Sequence, residues 1–256
     1  MKTAVQTLLG PADPAPVEVT NGESGADIIL LCEHAGRAIP RALGSLGVSK
    51  DIILSHRGWD IGAEQVARKV ADRLQVPLVI QKYSRLVIDC NRPPDSPMAV
   101  PGVSDHAEVP GNRALTPAER AMRIEEVFRP MDAELTRLFE SHPRRAAFSI
   151  HSFTPRLNGF ERPWHAGFLS RRQTGTAQAL MDHIAKARPD LTLAINEPYQ
   201  IESDSDWFIP AHAEPRGLTH SLIEIRNDQI REPGDVAVWA DLLAGAITAA
   251  TGGDTQ

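Results

Sequence analysis

The apolar positions of this chain change period along its length, and the changes predict alternating strands and helices. IILLC (Ile28–Cys32) has no polar break, the pattern of a strand buried on both faces. From Asp60 to Leu74, the residues Ile61, Ala63, Val66, Ala67, Val70, Ala71 and Leu74 follow helical spacing, with Asp60 as the expected N-cap. PLVIQ (Pro77–Gln81) and RLVID (Arg85–Asp89) predict two strands. A second helix is expected from Pro117 to Ser141, with Thr116 and Glu119 spaced as a capping box and Pro117 at the first helical position. Beyond it come the strand AAFSI (Ala146–Ile150), a loop from His151 to Pro163, the strand AGFLS, a helix over Thr176–Ala187 and the strand LTLAI. The polar loop Asn196–Arg216, the strand LTHSLIEI and a helix over Asp235–Ala250 complete the chain.

Strands alternating with helices predict an α/β fold, a three-layer α/β/α sandwich around a mixed, mostly parallel sheet. Residues 1–26 are rich in Pro, Gly, Glu and Asp without a period and read as an irregular N-terminal arm. Residues 27–256 read as one domain, with no internal repeat. The segment 91–115 holds five prolines and two glycines. A loop that long inside a compact domain is usually functional, so it is expected to border the site, as is the loop 196–216.

Composition narrows the class. The 256 residues are 42% hydrophobic and 23% charged, an ordinary soluble mix. A net charge of -6 argues against nucleic acid as a partner, and no apolar run approaches the ~20 residues of a membrane span. Two cysteines, Cys32 and Cys90, make no disulfide framework; both read as small core residues, and a reduced, cytoplasmic protein is the expectation.

In open α/β sheets, ligands bind outside the carboxyl ends of the strands. Glu33 and His34 follow the first strand, Asp89, Asn91 and Arg92 follow RLVID, and His151 and Ser152 follow AAFSI. Glu224 lies inside the apolar run LIEI, where a carboxylate is rarely buried unless paired or functional. Two histidines plus a carboxylate suit a catalytic zinc with an open position, and a separate Glu can act as general base. The spacing alone is unspecific, for there is no HExxH or CxxC pair. Each histidine also has a plain reading as a hydrogen-bonded loop residue, and Asp60 as a helix cap. His106, His142 and His183 take the structural reading. Arg85, Arg92, Arg216 and Arg226 would suit an anionic substrate, since guanidinium grips carboxylate bidentately.

Five segments in order resemble the N-formylglutamate amidohydrolase family: LLCEHAG (Leu30–Gly36), RGWDIGA (Arg57–Ala63), YSRLVIDCNRPP (Tyr83–Pro94), SIHSFTP (Ser149–Pro155) and HAEPRGLTHSLIEIRND (His212–Asp228). The resemblance implies a fold similar to the zinc carboxypeptidases and aspartoacylase-like deacylases. It implies one zinc ion with His34 and His151 as ligands and Glu224 as base. Those peptidases carry their carboxylate ligand three residues after the first His, where this chain has Arg37. The third ligand is therefore expected to be Asp60, with Glu33 as the alternative. Arg85, Asn91 and Arg92 are expected to bind substrate, with His212 and Arg216 reaching it from the second loop. The implied activity is hydrolysis of a small N-acyl acidic amino acid such as N-formylglutamate, a reaction of amino-acid breakdown. The alternative is a binding protein for acidic ligands on a hydrolase fold that has lost its metal.

Overall fold

The computed structural model describes residues 7–252. Its elements run, in chain order, β1 (Val17–Thr20), β2 (Ile28–Cys32), α1 (Lys50–Leu54), α2 (Ala63–Leu74) and β3 (Leu78–Gln81). Next come the short hairpin β4 (Val103–Ser104) and β5 (Ala107–Glu108), then α3 (Pro117–Arg123) and α4 (Arg129–Ser141). The strand β6 (Ala146–Phe153) leads into a second hairpin, β7 (Arg156–Leu157) and β8 (Phe160–Glu161). The chain ends with β9 (Ala166–Leu169), α5 (Gly175–Ala187), β10 (Leu193–Ile195), β11 (Thr219–Arg226) and α6 (Pro233–Ala250).

Seven strands form one sheet in the order β1-β3-β2-β6-β11-β9-β10. The four central strands β3, β2, β6 and β11 are parallel. β1 pairs antiparallel with β3 at one edge, and β9 antiparallel with β11 toward the other. Alternate residues of each strand serve opposite faces. Leu30, Ile80, Phe148, Ile150 and Ile225 pack with Val66, Val70, Leu180, Trp239 and Leu243 from α2, α5 and α6. Ile29, Leu31, Val79, Ala147 and Leu222 meet Phe128, Met131, Leu135 and Leu138 on the other face. The result is the expected three-layer arrangement of helices on both sides of a mixed, mostly parallel sheet.

Four local readings change. Residues 1–6 of the expected arm lie outside the described residues, but Val17–Thr20 form β1, an edge strand held by Val17–Gln81 to Thr20–Leu78 pairing. RLVID is a buried turn, not a strand. The Ser84 hydroxyl accepts from the Leu86 amide and donates to the Gly58 carbonyl, and the Val87 amide bonds the Ser84 carbonyl, so the backbone closes on itself before a ladder can form. The helix expected over 117–141 relaxes to a π turn at Ile124–Phe128, just before Pro130, whose missing N–H would break a regular ladder. The loop 196–216 contains helical turns at Ile209–Ala213 and Glu214–Arg216.

Candidate active site

β2, β6 and β11 present their carboxyl ends side by side, and the loops before α2 and after β3 fold over them. β6 runs on to Phe153, so His151 and Ser152, expected in a loop, lie in the strand. β11 pairs with β6 along its whole length and sets Glu224 opposite His151. Both lie on the face that carries Ala147 and Leu222, where the alternation brings polar groups to the strand ends.

Asp60 is not the cap of α2; Gly62 holds that position with a φ of 85°. A Cβ on Gly62 would stand 2.6 Å from the Ile230 carbonyl, so only glycine makes this turn. The Asp60 amide bonds the His34 carbonyl at 2.8 Å, tying its loop to the end of β2. The Asp60 side chain, thus freed, turns inward. Its Oδ2 lies 2.9 Å from His151 Nδ1 and 3.5 Å from His34 Nδ1, and accepts from the Ser152 amide. Ligand atoms of His34, Asp60 and His151 all fall within 4.8 Å of one another, and all three residues are buried. The structure thus brings together the two histidines and the first-choice carboxylate.

The far nitrogens of both imidazoles face carboxylates. His34 Nε2 bonds Asp89 Oδ1 at 2.7 Å. His151 Nε2 lies 3.0 Å from Glu33 Oε2, close enough for an ion pair though not aligned as a hydrogen bond. Glu33 Oε2 also accepts from the Ser149 hydroxyl. Glu33, the alternative ligand, therefore stands behind His151 rather than beside Asp60. This is the arrangement in which a carboxylate fixes the tautomer of a metal-binding imidazole.

Charge is concentrated here. Burial opposes ionisation of Asp60 and Asp89, but the neighbouring histidines and, for Asp89, Arg85 hold both well below the usual carboxylate range. Burial likewise opposes a charged His151, yet Glu33 and Asp60 outweigh it and push the imidazole well above its ordinary value. Glu224 goes the other way: burial pushes its carboxyl up to about 7. Among the described residues, eight buried side-chain polar atoms lack a hydrogen-bond partner, and five of them belong to Glu33, His34, His56, His151 and Glu224. Buried polar groups are nearly always satisfied; of these five atoms, His34 Nδ1 faces Asp60 and is one that a cation would complete, while His151 Nε2 faces Glu33 instead. The donor set, two imidazole nitrogens and one carboxylate oxygen, fits zinc.

A cavity of about 380 Å³ opens onto these groups. His34, Asp60, His151 and Glu224 line it together with Arg85, Asn91 and Arg92. Arg85 spans Asp60 at 3.3 Å and Asp89 at 3.0 Å. The Asn91 side chain accepts from the Trp207 and Phe208 amides and donates to Asp206, anchoring the 196–208 loop. Arg92 bonds the Ser205 carbonyl.

His212 and Arg216 do not reach the cavity, which corrects the expectation for them. His212 Nε2 bonds Asp132 on α4 at 2.8 Å and its ring stacks near Phe139 and Phe208. Arg216 lies 4.7 Å over the Phe139 ring and bonds the His212 carbonyl. The π turn at Ile209–Ala213 points both toward the apolar layer instead. Arg226 is likewise engaged elsewhere, by Asp228. Sequence reasoning also missed His56 and Tyr199, both in the cavity wall. His56 Nδ1 approaches Asp60 Oδ1 at 3.6 Å, and burial pushes its pKa down to about 4, leaving a neutral ring. Its i,i+4 spacing from Asp60 was the available signal. Tyr199 takes a hydrogen bond from Arg162 and had none.

Such a donor set at the strand ends of an α/β sheet suits a hydrolase. The chain belongs to the N-formylglutamate amidohydrolase family, which it matches over residues 26–231, and is a hydrolase of linear amides. It is similar to the crystal structure of a gene product from Agrobacterium tumefaciens, with 36% identity and a TM-score of 0.90 over 97% of this chain and 100% of that one. It shares its fold with N-formylglutamate amidohydrolase from Ralstonia eutropha, with 21% identity and a TM-score of 0.66 over 93% of this chain and 98% of that one. Comparison with curated proteins returned no match. Among the described residues no helix is long and apolar enough to cross a membrane.

Proposed function

We propose that this chain hydrolyses the amide bond of a small N-acyl acidic amino acid, N-formylglutamate or a close relative, with one zinc ion held by His34, Asp60 and His151. The convergence of three buried ligand atoms within 4.8 Å carries this reading. Bound zinc would polarise the amide carbonyl and acidify water from a pKa of 15.7 toward about 7. Glu224 takes the proton of the attacking water and returns it to the departing amine. Glu224 lines the same cavity as the three ligands, so its carboxylate is within reach of that water. Asp89 and Glu33 hold the two imidazoles with Nδ1 toward Asp60. Arg85 is held by Asp60 and Asp89 at 3.3 and 3.0 Å, whereas Arg92 approaches Asp89 and Asp206 only at 3.9 Å, so Arg92 is the better grip for the substrate carboxylate.

The test is formate release from N-formyl-L-glutamate by metal-stripped protein with and without added zinc. The reading expects hydrolysis only with the metal, and loss of hydrolysis in Glu224→Gln. Zinc-independent turnover would overturn it.

A further inference from the structure

The catalytic cavity does not end at the candidate metal ligands. A second cavity of about 410 Å³ adjoins it. The two share His56, Arg85, Arg92, Met98 and Tyr199 as a common wall. Pockets of roughly 300–1,000 Å³ enclose drug-sized ligands, so each cavity alone exceeds the needs of a single formylated residue.

The two differ in what lines them beyond that shared wall. The inner cavity adds Leu169, Leu222, Asn91, Gln200, Glu202 and Asp206 to the ligand set. The outer one adds Pro101, Val103 and Leu157 to the shared Met98, and also holds Asp89, Thr154 and the Arg57–Asp105 pair at 3.2 Å. Six large hydrophobic side chains are exposed among the described residues, and three of them, Met98, Val103 and Tyr199, line this outer cavity. Apolar groups gathered at a cavity wall are surface that a bound apolar group would remove from water. Two hairpins frame it. His106, at the β4–β5 tip, bonds Asn158 at the β7–β8 tip across 2.7 Å. The chain therefore builds and ties a mouth of its own around a space that a formyl group cannot fill.

We propose that the outer cavity is an acyl subsite, and that the substrate is an N-acyl acidic amino acid whose acyl group is apolar and larger than formyl. This rests on the amide-hydrolase reading above. The amino-acid part, with its carboxylates, sits in the inner cavity between the ligand set and Arg92. The acyl chain passes His56 and Tyr199 and lies against Leu157 and Val103.

The experiment compares N-formyl-, N-butyryl- and N-benzoyl-L-glutamate on the zinc-loaded wild type, Leu157→Asp and Val103→Asp. Equilibrium binding of the same compounds is measured by calorimetry on Glu224→Gln and on Glu224→Gln carrying Leu157→Asp. The benzoyl compound is expected to exceed the formyl compound at least about tenfold in kcat/KM, roughly 1.4 kcal/mol. Either acidic substitution should shrink that ratio by a similar factor. Val103 is 54% exposed, so its variant keeps the test open should Leu157→Asp fail to fold. Formyl handled as well as benzoyl, or a ratio indifferent to both substitutions, would overturn the proposal. Should no compound be hydrolysed while benzoyl-glutamate binds more tightly than formyl-glutamate and Leu157→Asp erases the difference, the subsite stands and the reaction reading falls.

Discussion

His34 Nε2 and Asp89 Oδ1 lie 2.7 Å apart, and that single bond determines which nitrogen of His34 faces Asp60. With Nε2 donating to the carboxylate, Nδ1 keeps its lone pair for a cation. Asp89→Asn weakens that orientation. Zinc affinity should fall about 10–100-fold, as read by competition with a chromophoric chelator, while the protein stays folded. Unchanged affinity would assign Asp89 only to anchoring its loop through the Asn91 amide.

His34→Ala and His151→Ala should each abolish stoichiometric zinc binding. Neither contributes to the apolar layers on the two faces of the sheet, so both variants should retain the far-UV circular dichroism of the wild type. Asp60→Asn should also lose metal. A residue that only shaped the turn before α2 would leave metal content unchanged, so zinc analysis of this variant separates the two roles.

Glu224 supplies a pH dependence whose sign is fixed. In the metal-free protein its carboxyl sits at about 7, above the ordinary value of 4.5. Below 4.5 it is protonated whether folded or not. As pH rises from there to about 7, the unfolded chain releases a proton that the folded one keeps, so stability falls across that window. Glu224→Gln removes this penalty. The metal-free variant should be more stable than metal-free wild type at about pH 8, on the order of 1–3 kcal/mol, and equal to it near pH 4. Urea titrations at the two pH values check this. The same variant should bind zinc and lose about 10²–10⁴-fold in turnover.

Much of this site was legible in the chain because strand ends announce themselves. The unbroken run IILLC located His34, and the carboxylate stranded inside LIEI located Glu224. Both follow from a parallel sheet that buries its strands and exposes their carboxyl ends. RLVID misled because a buried turn and a buried strand have the same apolar run, and only the Ser84 side chain decides between them. β1 was hidden by its half-buried edge position and the prolines before it. His212 and Arg216 read as site residues because the loop 196–216 does enter the site. The loop delivers Tyr199 and Asp206 to the cavity and then turns helically away, a change that polar composition does not encode.

Arg92 tests substrate charge. Acyl-glutamate and acyl-aspartate should exceed acyl-leucine at least about tenfold in kcat/KM, and Arg92→Ala should erase most of that preference. A wild-type enzyme equally fast on acyl-leucine would leave the guanidinium without a role in substrate selection.

The most direct measurement is formate released from N-formyl-L-glutamate as zinc is added stepwise to metal-stripped protein. Activity should climb to a plateau at one equivalent and be absent at the same added zinc in His34→Ala, Asp60→Asn and His151→Ala. Hydrolysis that survives complete removal of the metal, or that persists in all three variants, would contradict the assignment of these residues as the metal centre of an amide hydrolase.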